Sequence, residues 1–133
     1  MGKARNIAVL FEAEIKQAEL NTLEKFLDKL FAEVGIDVEF TKHFLDRVND
    51  RRNKTQITVS ELTALFKEVF KKFGKRIGSL SSGAEAVLRD MQSKISLPFV
   101  INFDKKKGSL ELVAKTIIRK PDFKTRNKQF VVN

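Results

Sequence analysis

His43 is the residue of this chain best suited to proton transfer, because it is the only histidine in the sequence. On a helix, Arg47, Asp50 and Arg51 would share its face, since they follow it by four, seven and eight residues. An imidazole beside guanidinium groups suits phosphoryl chemistry, in which a proton moves and charge builds on phosphorus. The alternative is a solvated helix face on which Asp46 and Asp50 pair with the arginines.

A second group of cations lies late in the chain. In an extended strand, Lys115 and Arg119 project from one face of the sheet with Ile117 between them. Thr116 points to the opposite face. Such positions can hold a nucleic-acid backbone, or they can form an ordinary solvent face. The residues expected to contact nucleic acid are Arg52, Arg119, Lys120, Phe123, Lys124, Arg126 and Lys128.

The net charge of the chain is unevenly distributed. Residues 1–40 carry 5 Lys and Arg against 8 Asp and Glu, a net charge of −3, whereas residues 41–133 carry 21 against 9, or +12. Residues 94–133 alone hold 10 basic and 3 acidic side chains. Basic density of this kind attracts phosphate backbones and anionic membranes, and nucleic acid is the commoner partner.

Composition excludes several classes of function. The chain has no cysteine, so a disulfide framework, a thiolate zinc site and a cysteine nucleophile are ruled out. With one histidine and no phosphate-binding glycine loop or dinucleotide fingerprint, we expect no metal and no cofactor. No apolar run is long enough to cross a bilayer, and the first residues lack the apolar core of a signal peptide. We therefore expect a cytoplasmic protein without membrane contact.

Apolar periodicity predicts helices at the N-terminus. Two helical phases, over about 7–18 and 23–34, meet at Asn21, whose spacing to Glu24 is that of a capping box. We expect either two helices or one kinked helix, ending at Gly35. Stripes this wide must be covered. Either they pack structurally on the outer side of the helical layer, which we favour, or they drape across the basic face and screen it.

Three further helices are predicted after Gly35. One covers 42–52 and is capped by Thr41. The second begins at a capping box formed by Thr58 and Glu61 and runs to Gly74. The third begins at a similar box over 82–85 and runs through Ile95.

Alternating apolar residues predict a hairpin in the C-terminal part of the chain. The segments are a strand at 99–103, a turn at 104–108, a strand at 110–118 and a third strand at 129–132. Helices followed by strands make an α+β fold, with the N-terminal helices packed on one face of a small C-terminal antiparallel sheet. We expect one domain over 1–133, in which a helical region, 1–35, precedes an α+β core, 36–133.

The order of these motifs resembles a known group of enzymes. The segment from Thr41 to Arg52, the capped helix beginning near 57–61 and the strand 112–118 are similar to small phage proteins of the barnase/EndoU/colicin/RelE-like ribonuclease superfamily, RegB-type endoribonucleases among them. The resemblance covers about residues 40–120. It implies a RelE/barnase-like fold and metal-independent cleavage, with the RNA 2′-hydroxyl as nucleophile and a cyclic phosphate as product.

The same resemblance assigns roles to individual residues. It puts His43 at the proton-transfer position, Arg47 and Arg51 at phosphate contacts, and Lys115 with Thr116 on the sheet side of the site. Residues 36–133 would then form the nuclease-like core, and the helical region 1–35 would be an addition or cap that precedes it.

Two functions remain open from the sequence. One is a metal-independent endoribonuclease that cleaves single-stranded or messenger RNA. The other is a non-catalytic nucleic-acid-binding, virion or host-inhibitory protein of the same fold, with the ribosome or an acidic host protein as a further partner. A His43 buried beneath the N-terminal helices, far from Lys115 and Arg119, would argue against catalysis.

Overall fold

The computed structural model describes residues 14–133. Its helices lie mainly in the first half of this range. The α-helices are α1, Gln17–Phe31; α2, Phe44–Val48; and α3, Val59–Gly78, with 3-10 turns at Ala32–Val34 and Arg51–Asn53. No helix within residues 14–133 has both the length and the apolar character needed to cross a membrane.

Six strands form one sheet with the helices on one side, so the α+β prediction is confirmed. The strands are β1, Ile36–Phe40; β2, Glu85–Asp90; β3, Ile95–Asp104; β4, Ser109–Ala114; β5, Ile118–Arg119; and β6, Lys128–Val132. Their order is β1-β4-β3-β2-β6, and β5 pairs with β3. The sheet is mixed: β3 is antiparallel to its neighbours, whereas the pairs β1/β4 and β2/β6 are parallel. The prediction of a purely antiparallel sheet was therefore wrong.

Helix α1 protects the outer edge of β1. The Asp28 carboxylate accepts a hydrogen bond from the backbone N–H of Val38 at 2.7 Å, and Glu24 accepts one from Phe40 at 3.2 Å. These two N–H groups have no partner strand, because β1 is the last strand of the sheet on this side. Carboxylates one helical turn apart thus replace a neighbouring strand and block edge-to-edge association.

The second of the two predicted N-terminal helical phases lies within the described residues. Helix α1 is continuous across Asn21, so the alternative of two helices that meet at this residue was wrong. The helical segment does end at Gly35, which has φ +75°. The side chains of Leu23 and Leu27 in α1 are buried in the core, which agrees with structural packing of this helix. Most of the first helical phase, predicted over 7–18, lies outside the described residues.

Helix α3 begins as predicted. Thr58 Oγ1 accepts a hydrogen bond from the N–H of Glu61 at 3.1 Å, and Glu61 Oε1 accepts one from the N–H of Thr58, also at 3.1 Å. The helix passes through Gly74 and ends at Gly78, so the predicted end at Gly74 was wrong. Gly74 does not have the left-handed backbone with which a glycine commonly ends a helix. Gly74 instead gives room to a ring: a Cβ there would lie 3.1 Å from Cδ1 of Phe70.

The helix predicted from the box at 82–85 through Ile95 was wrong, because this segment forms β2 and the turn into β3. Strand β2 is flanked by β3 and β6, and its consecutive residues Ala86, Val87 and Leu88 are all buried. A strand covered on both faces is continuously apolar, so its sequence cannot be distinguished from a short buried helix by periodicity.

The helix predicted over 42–52 was wrong in its second half. Helix α2 ends at Val48, Asp50 is extended, and the chain then forms the 3-10 turn Arg51–Asn53. Asp50 caps this turn by accepting a hydrogen bond from the N–H of Arg52 at 2.9 Å. Arg51 therefore does not continue the helical face of His43.

Candidate nucleic-acid interface

A basic cleft opens on the face of the sheet away from the helices. The neighbours Leu97 and Phe99 point into the core, so Pro98 between them faces the other side and forms part of the cleft floor. The volume of the cleft is about 530 Å³. Its lining residues are Arg52, Pro98, Thr116, Ile118, Lys120, Asp122, Phe123 and Lys124. We call this site the basic cleft.

A break in the second hairpin strand shapes one wall of the basic cleft. Strand β4 ends at Ala114, and the chain resumes as β5 only at Ile118. In the gap, Lys115 donates its backbone N–H to the carbonyl of Pro98 at 3.0 Å, and its own carbonyl accepts a hydrogen bond from the Thr41 hydroxyl at 3.0 Å. Ile117 is fully buried. These contacts hold Thr116 at the cleft.

Arg119 does not face the cleft, because its guanidinium is directed into the domain. Two of its nitrogens bind the Glu61 carboxylate at 2.7 and 2.9 Å. The remaining N–H groups donate to the carbonyl oxygens of Thr55, Gln56 and Ser93 at 3.0 to 3.2 Å. Its side chain is only 15% exposed. The predicted pairing of Arg119 with Lys115 on one open face was wrong, since the strand kinks between them.

The Arg119 contact changes the acidity of Glu61. Burial alone would raise the pKa of the Glu61 carboxyl, but hydrogen bonds from Arg119 and Thr58, together with the Arg119 charge, outweigh burial and lower it below 4.5. Glu61 is also the third residue of α3 and completes its capping box with Thr58. One carboxylate therefore caps α3 and fixes Arg119, which ties the helix to β5.

Asn53 connects the two walls of the basic cleft, and sequence reasoning did not identify it. Its side chain is buried, accepts a hydrogen bond from the N–H of Arg119 at 3.0 Å, and donates to the carbonyls of Arg47 and Val48 at 2.9 and 3.3 Å. Arg52, the residue before it, lies on the cleft rim. The sequence carries no signal for this role, because the partners are up to 66 residues away.

The candidate proton-transfer residue, His43, is exposed and precedes α2. It is not buried beneath the helices, and the hydrogen bond from Thr41 to Lys115 brings its segment beside the Lys115 segment. His43 nevertheless does not line the basic cleft. Arg47 lies 3.8 Å from the carboxylate of Asp50, which resembles the solvated, paired helix face considered above.

The twelve residues predicted for the site divide into two groups. The cleft brings together five of them: Arg52, Thr116, Lys120, Phe123 and Lys124. Outside its lining lie His43, Arg47, Arg51, Lys115, Arg119, Arg126 and Lys128. Of these, Lys115 pairs with Glu85 at 3.4 Å, and Lys128 lies over the ring of Phe130 at 5.5 Å. The sequence analysis did not identify Pro98 and Ile118 as cleft residues. Each follows a buried residue, Leu97 and Ile117 respectively, and this alternation could have placed both on the cleft face of the sheet.

The acidic part of the chain gathers around β1. Burial raises the pKa of Glu24, Asp28 and Glu39, and repulsion from neighbouring carboxylates, including that of Glu111, adds to the effect. Hydrogen bonds to the backbone of β1 oppose the rise at Glu24 and Asp28. Residues 14–133 contain no cluster of His, Asp and Glu suited to hold a metal ion. The charge of Lys107 lies close to these carboxylates and partly offsets their mutual repulsion.

The basic cleft joins cations to an apolar surface. Three of its side chains are cationic, those of Arg52, Lys120 and Lys124, and they line the cleft together with the half-buried ring of Phe123. Such an arrangement can bind a phosphate and a flat apolar group at once. Comparisons with protein-family models, with curated proteins and with solved structures found no match.

Proposed function

We propose that this protein binds single-stranded RNA in the basic cleft. The observation that carries the proposal is the convergence of Arg52, Lys120 and Lys124 around the Phe123 ring, contributed by segments about 70 residues apart in the chain. The cations contact the phosphate backbone, and the apolar floor accepts an unpaired base.

The shape of the cleft favours a single strand over a duplex. Phe123, Pro98 and Ile118 can be covered by the flat face of a base only if that base is unstacked from its neighbours. In a duplex the base faces are already stacked, so only the cationic rim would contribute. Stacking on an aromatic ring adds about 1–3 kcal/mol per base, which separates the two ligands.

The ion pairs already present at the rim do not prevent binding. Arg52 lies 3.6 Å from Asp50, and Lys120 lies 3.9 Å from Asp122. Both pairs are solvent-exposed, and exposed pairs contribute about 0–1 kcal/mol. A phosphate oxygen can therefore replace these carboxylates. Within residues 14–133, Lys124 has no ion pair.

A salt titration tests this proposal. Fluorescence anisotropy of a labelled single-stranded RNA is measured with the unchanged protein and with a double variant, Lys120→Gln with Lys124→Gln. If both lysines contact phosphates, the slope of log K against log salt becomes shallower by about 1.4. The control is Lys105→Gln with Lys106→Gln, which removes the same charge from the β3–β4 turn. An unchanged slope in the cleft variant contradicts the proposal.

A second candidate function is the metal-independent endoribonuclease activity that the resemblance to RelE/barnase-like, RegB-type phage enzymes implies. The supporting observation is the hydrogen bond between Thr41 and Lys115, which joins the segment of an exposed His43 to the strand end that carries Lys115 and Thr116. In this hypothesis His43 transfers the proton, and Arg47 and Lys115 hold the scissile phosphate. Arg51 would contact that phosphate from the 3-10 turn Arg51–Asn53 and not from the helical face of His43. RNA cleavage in EDTA by the unchanged protein, but not by His43→Ala, is the expected result.

The non-catalytic alternatives use the same basic cleft for binding but predict no cleavage of RNA. A virion or host-inhibitory protein, or one that acts with the ribosome or an acidic host protein in the cytoplasm, would bind through the same basic surface without cleaving. Intact RNA after long incubation, at concentrations where anisotropy shows binding, would leave binding as the function and remove the nuclease.

A further inference from the structure

The C-terminal half of α3 carries a second basic surface. Its cations are Lys67, Lys71, Lys72, Lys75 and Arg76, and all five are exposed. Steps of four residues align three of the lysines in a row along the helix, and the other two cations lie beside that row. The span from the first to the last is about 14 Å. Within residues 14–133, none of the five forms a salt bridge.

This surface contains a groove as well as charge. The groove has a volume of about 400 Å³ and lies between Lys71, Lys75 and Arg76 on one side and the 3-10 turn after α1 on the other. Phe70 and Gly74 form part of its lining. A side chain at position 74 would enter the space next to the Phe70 ring, because a Cβ there already lies 3.1 Å from that ring. The glycine therefore keeps the aromatic floor accessible.

The α3 surface and the basic cleft lie on opposite sides of the sheet. Val69 and Ile77 of α3 are buried, and Phe73 packs against Phe130 of β6 with ring centroids 5.4 Å apart. Lys67, Lys71 and Lys75 therefore lie on the side of α3 away from the sheet. The guanidinium of Arg76 instead lies over the rings of Phe73 and Phe130, at 5.5 and 5.7 Å from their centroids. The cleft opens on the face of Pro98, so the sheet separates the two surfaces. A single short strand of RNA cannot occupy both.

We infer that the cationic row of α3 and its groove form a second binding site for single-stranded nucleic acid, so that one molecule holds two RNA segments on opposite faces of the sheet. The row contacts consecutive phosphates, and the groove takes a base against Phe70. A membrane surface fits less well, because interfacial helices insert an apolar face, and the apolar face of α3 is covered by the core. The α3 site itself is independent of the basic cleft, whereas the count of two RNA segments per molecule rests on the function proposed for the cleft.

The test counts ligands. An RNA oligonucleotide of about six nucleotides fits one surface. Native mass spectrometry and calorimetry of the full chain give its stoichiometry, and energy transfer between donor- and acceptor-labelled oligonucleotides reports two of them on one molecule. The variants are Lys71→Gln with Lys75→Gln for α3 and Lys120→Gln with Lys124→Gln for the cleft. Lys105→Gln with Lys106→Gln is the matched charge control.

The expected result is two oligonucleotides per molecule for the unchanged protein and the control, and one for the α3 variant, with loss of the energy-transfer signal. An α3 variant with unchanged stoichiometry and affinity would overturn the inference. If the cleft variant keeps the stoichiometry and affinity of the unchanged protein while the α3 variant loses binding, the function proposed for the cleft fails and the α3 site stands. If the α3 variant loses binding to phosphatidylserine vesicles or polyglutamate but not to RNA, the surface serves a membrane or an acidic protein, and the inference is wrong.

Discussion

Arg119 donates two hydrogen bonds to Glu61, at 2.7 and 2.9 Å, and thereby joins the strand after the hairpin to the N-terminus of α3. The guanidinium also satisfies three backbone carbonyls, so all of its N–H groups are used inside the domain. The backbone N–H of Arg119 also donates a hydrogen bond to the side-chain oxygen of Asn53. The walls of the basic cleft are therefore positioned by a cation that does not itself face the cleft.

Removal of Arg119 is expected to destabilise the fold rather than only weaken RNA binding. Arg119→Ala removes the cationic partner of the Glu61 carboxylate and the donor to three carbonyls, and the loss of one partner from such a pair costs about 3 kcal/mol. Urea unfolding followed by circular dichroism measures this change. Arg126→Ala is the control, because Arg126 is exposed and such substitutions stay within about 0.5 kcal/mol. Equal stability of the two variants would contradict the role of Arg119.

The Glu61 carboxyl predicts a loss of stability in acid. Its pKa is lowered in the folded state, so its contribution is fully present above about pH 4.5, the ordinary value, and is lost as pH falls through the lower folded value. Glu61→Gln should therefore be less stable than the unchanged protein at neutral pH, and the difference should shrink below pH 4.5. Unfolding curves across this range test it. A difference that is independent of pH would show that the charge of Glu61 is unimportant.

The carboxylate of Asp28 predicts the opposite dependence. Its pKa is raised above 3.8 in the folded state, so ionisation there opposes folding, and stability rises as pH falls through the raised value. Asp28→Asn keeps an oxygen to accept the N–H of Val38 but removes the charge. It should be more stable than the unchanged protein at pH 7 and equal to it well below 3.8. A less stable Asp28→Asn at pH 7 would mean that the hydrogen bond depends on the charge.

Asn53 is expected to act as a positioning residue for RNA binding. Asn53→Ala leaves the backbone N–H of Arg119 without its acceptor and removes a donor from the carbonyls of Arg47 and Val48, and it should cost about 1–3 kcal/mol of stability. It should also weaken RNA binding at temperatures where the variant is fully folded, because the turn that carries Arg52 loses its tie to β5. Arg52→Ala should weaken binding with little change in stability. If Asn53→Ala binds RNA normally while folded, the tie does not position the cleft.

The sequence by itself determined the elements whose signals are local. The Thr58 and Glu61 capping box begins α3, the left-handed Gly35 ends the first helical segment, and the alternation around the turn at 104–108 predicts the β3–β4 hairpin. The sequence also put Thr116, Lys120, Phe123 and Lys124 among the predicted site residues, and these four line one cleft. These signals depend on side chains that contact residues a few positions away.

Tertiary structure decided what depends on distant partners. Strand β2 is a strand because β3 and β6 flank it, although its own residues fit a short helix equally well. Arg119 turns inward because Glu61 and three carbonyls converge on it from segments 26 to 64 residues away. Arg52 reaches the cleft because Asn53 holds its turn against β5. Each outcome follows from satisfying buried polar groups and covering apolar surface, and both requirements are met only when the whole chain has folded.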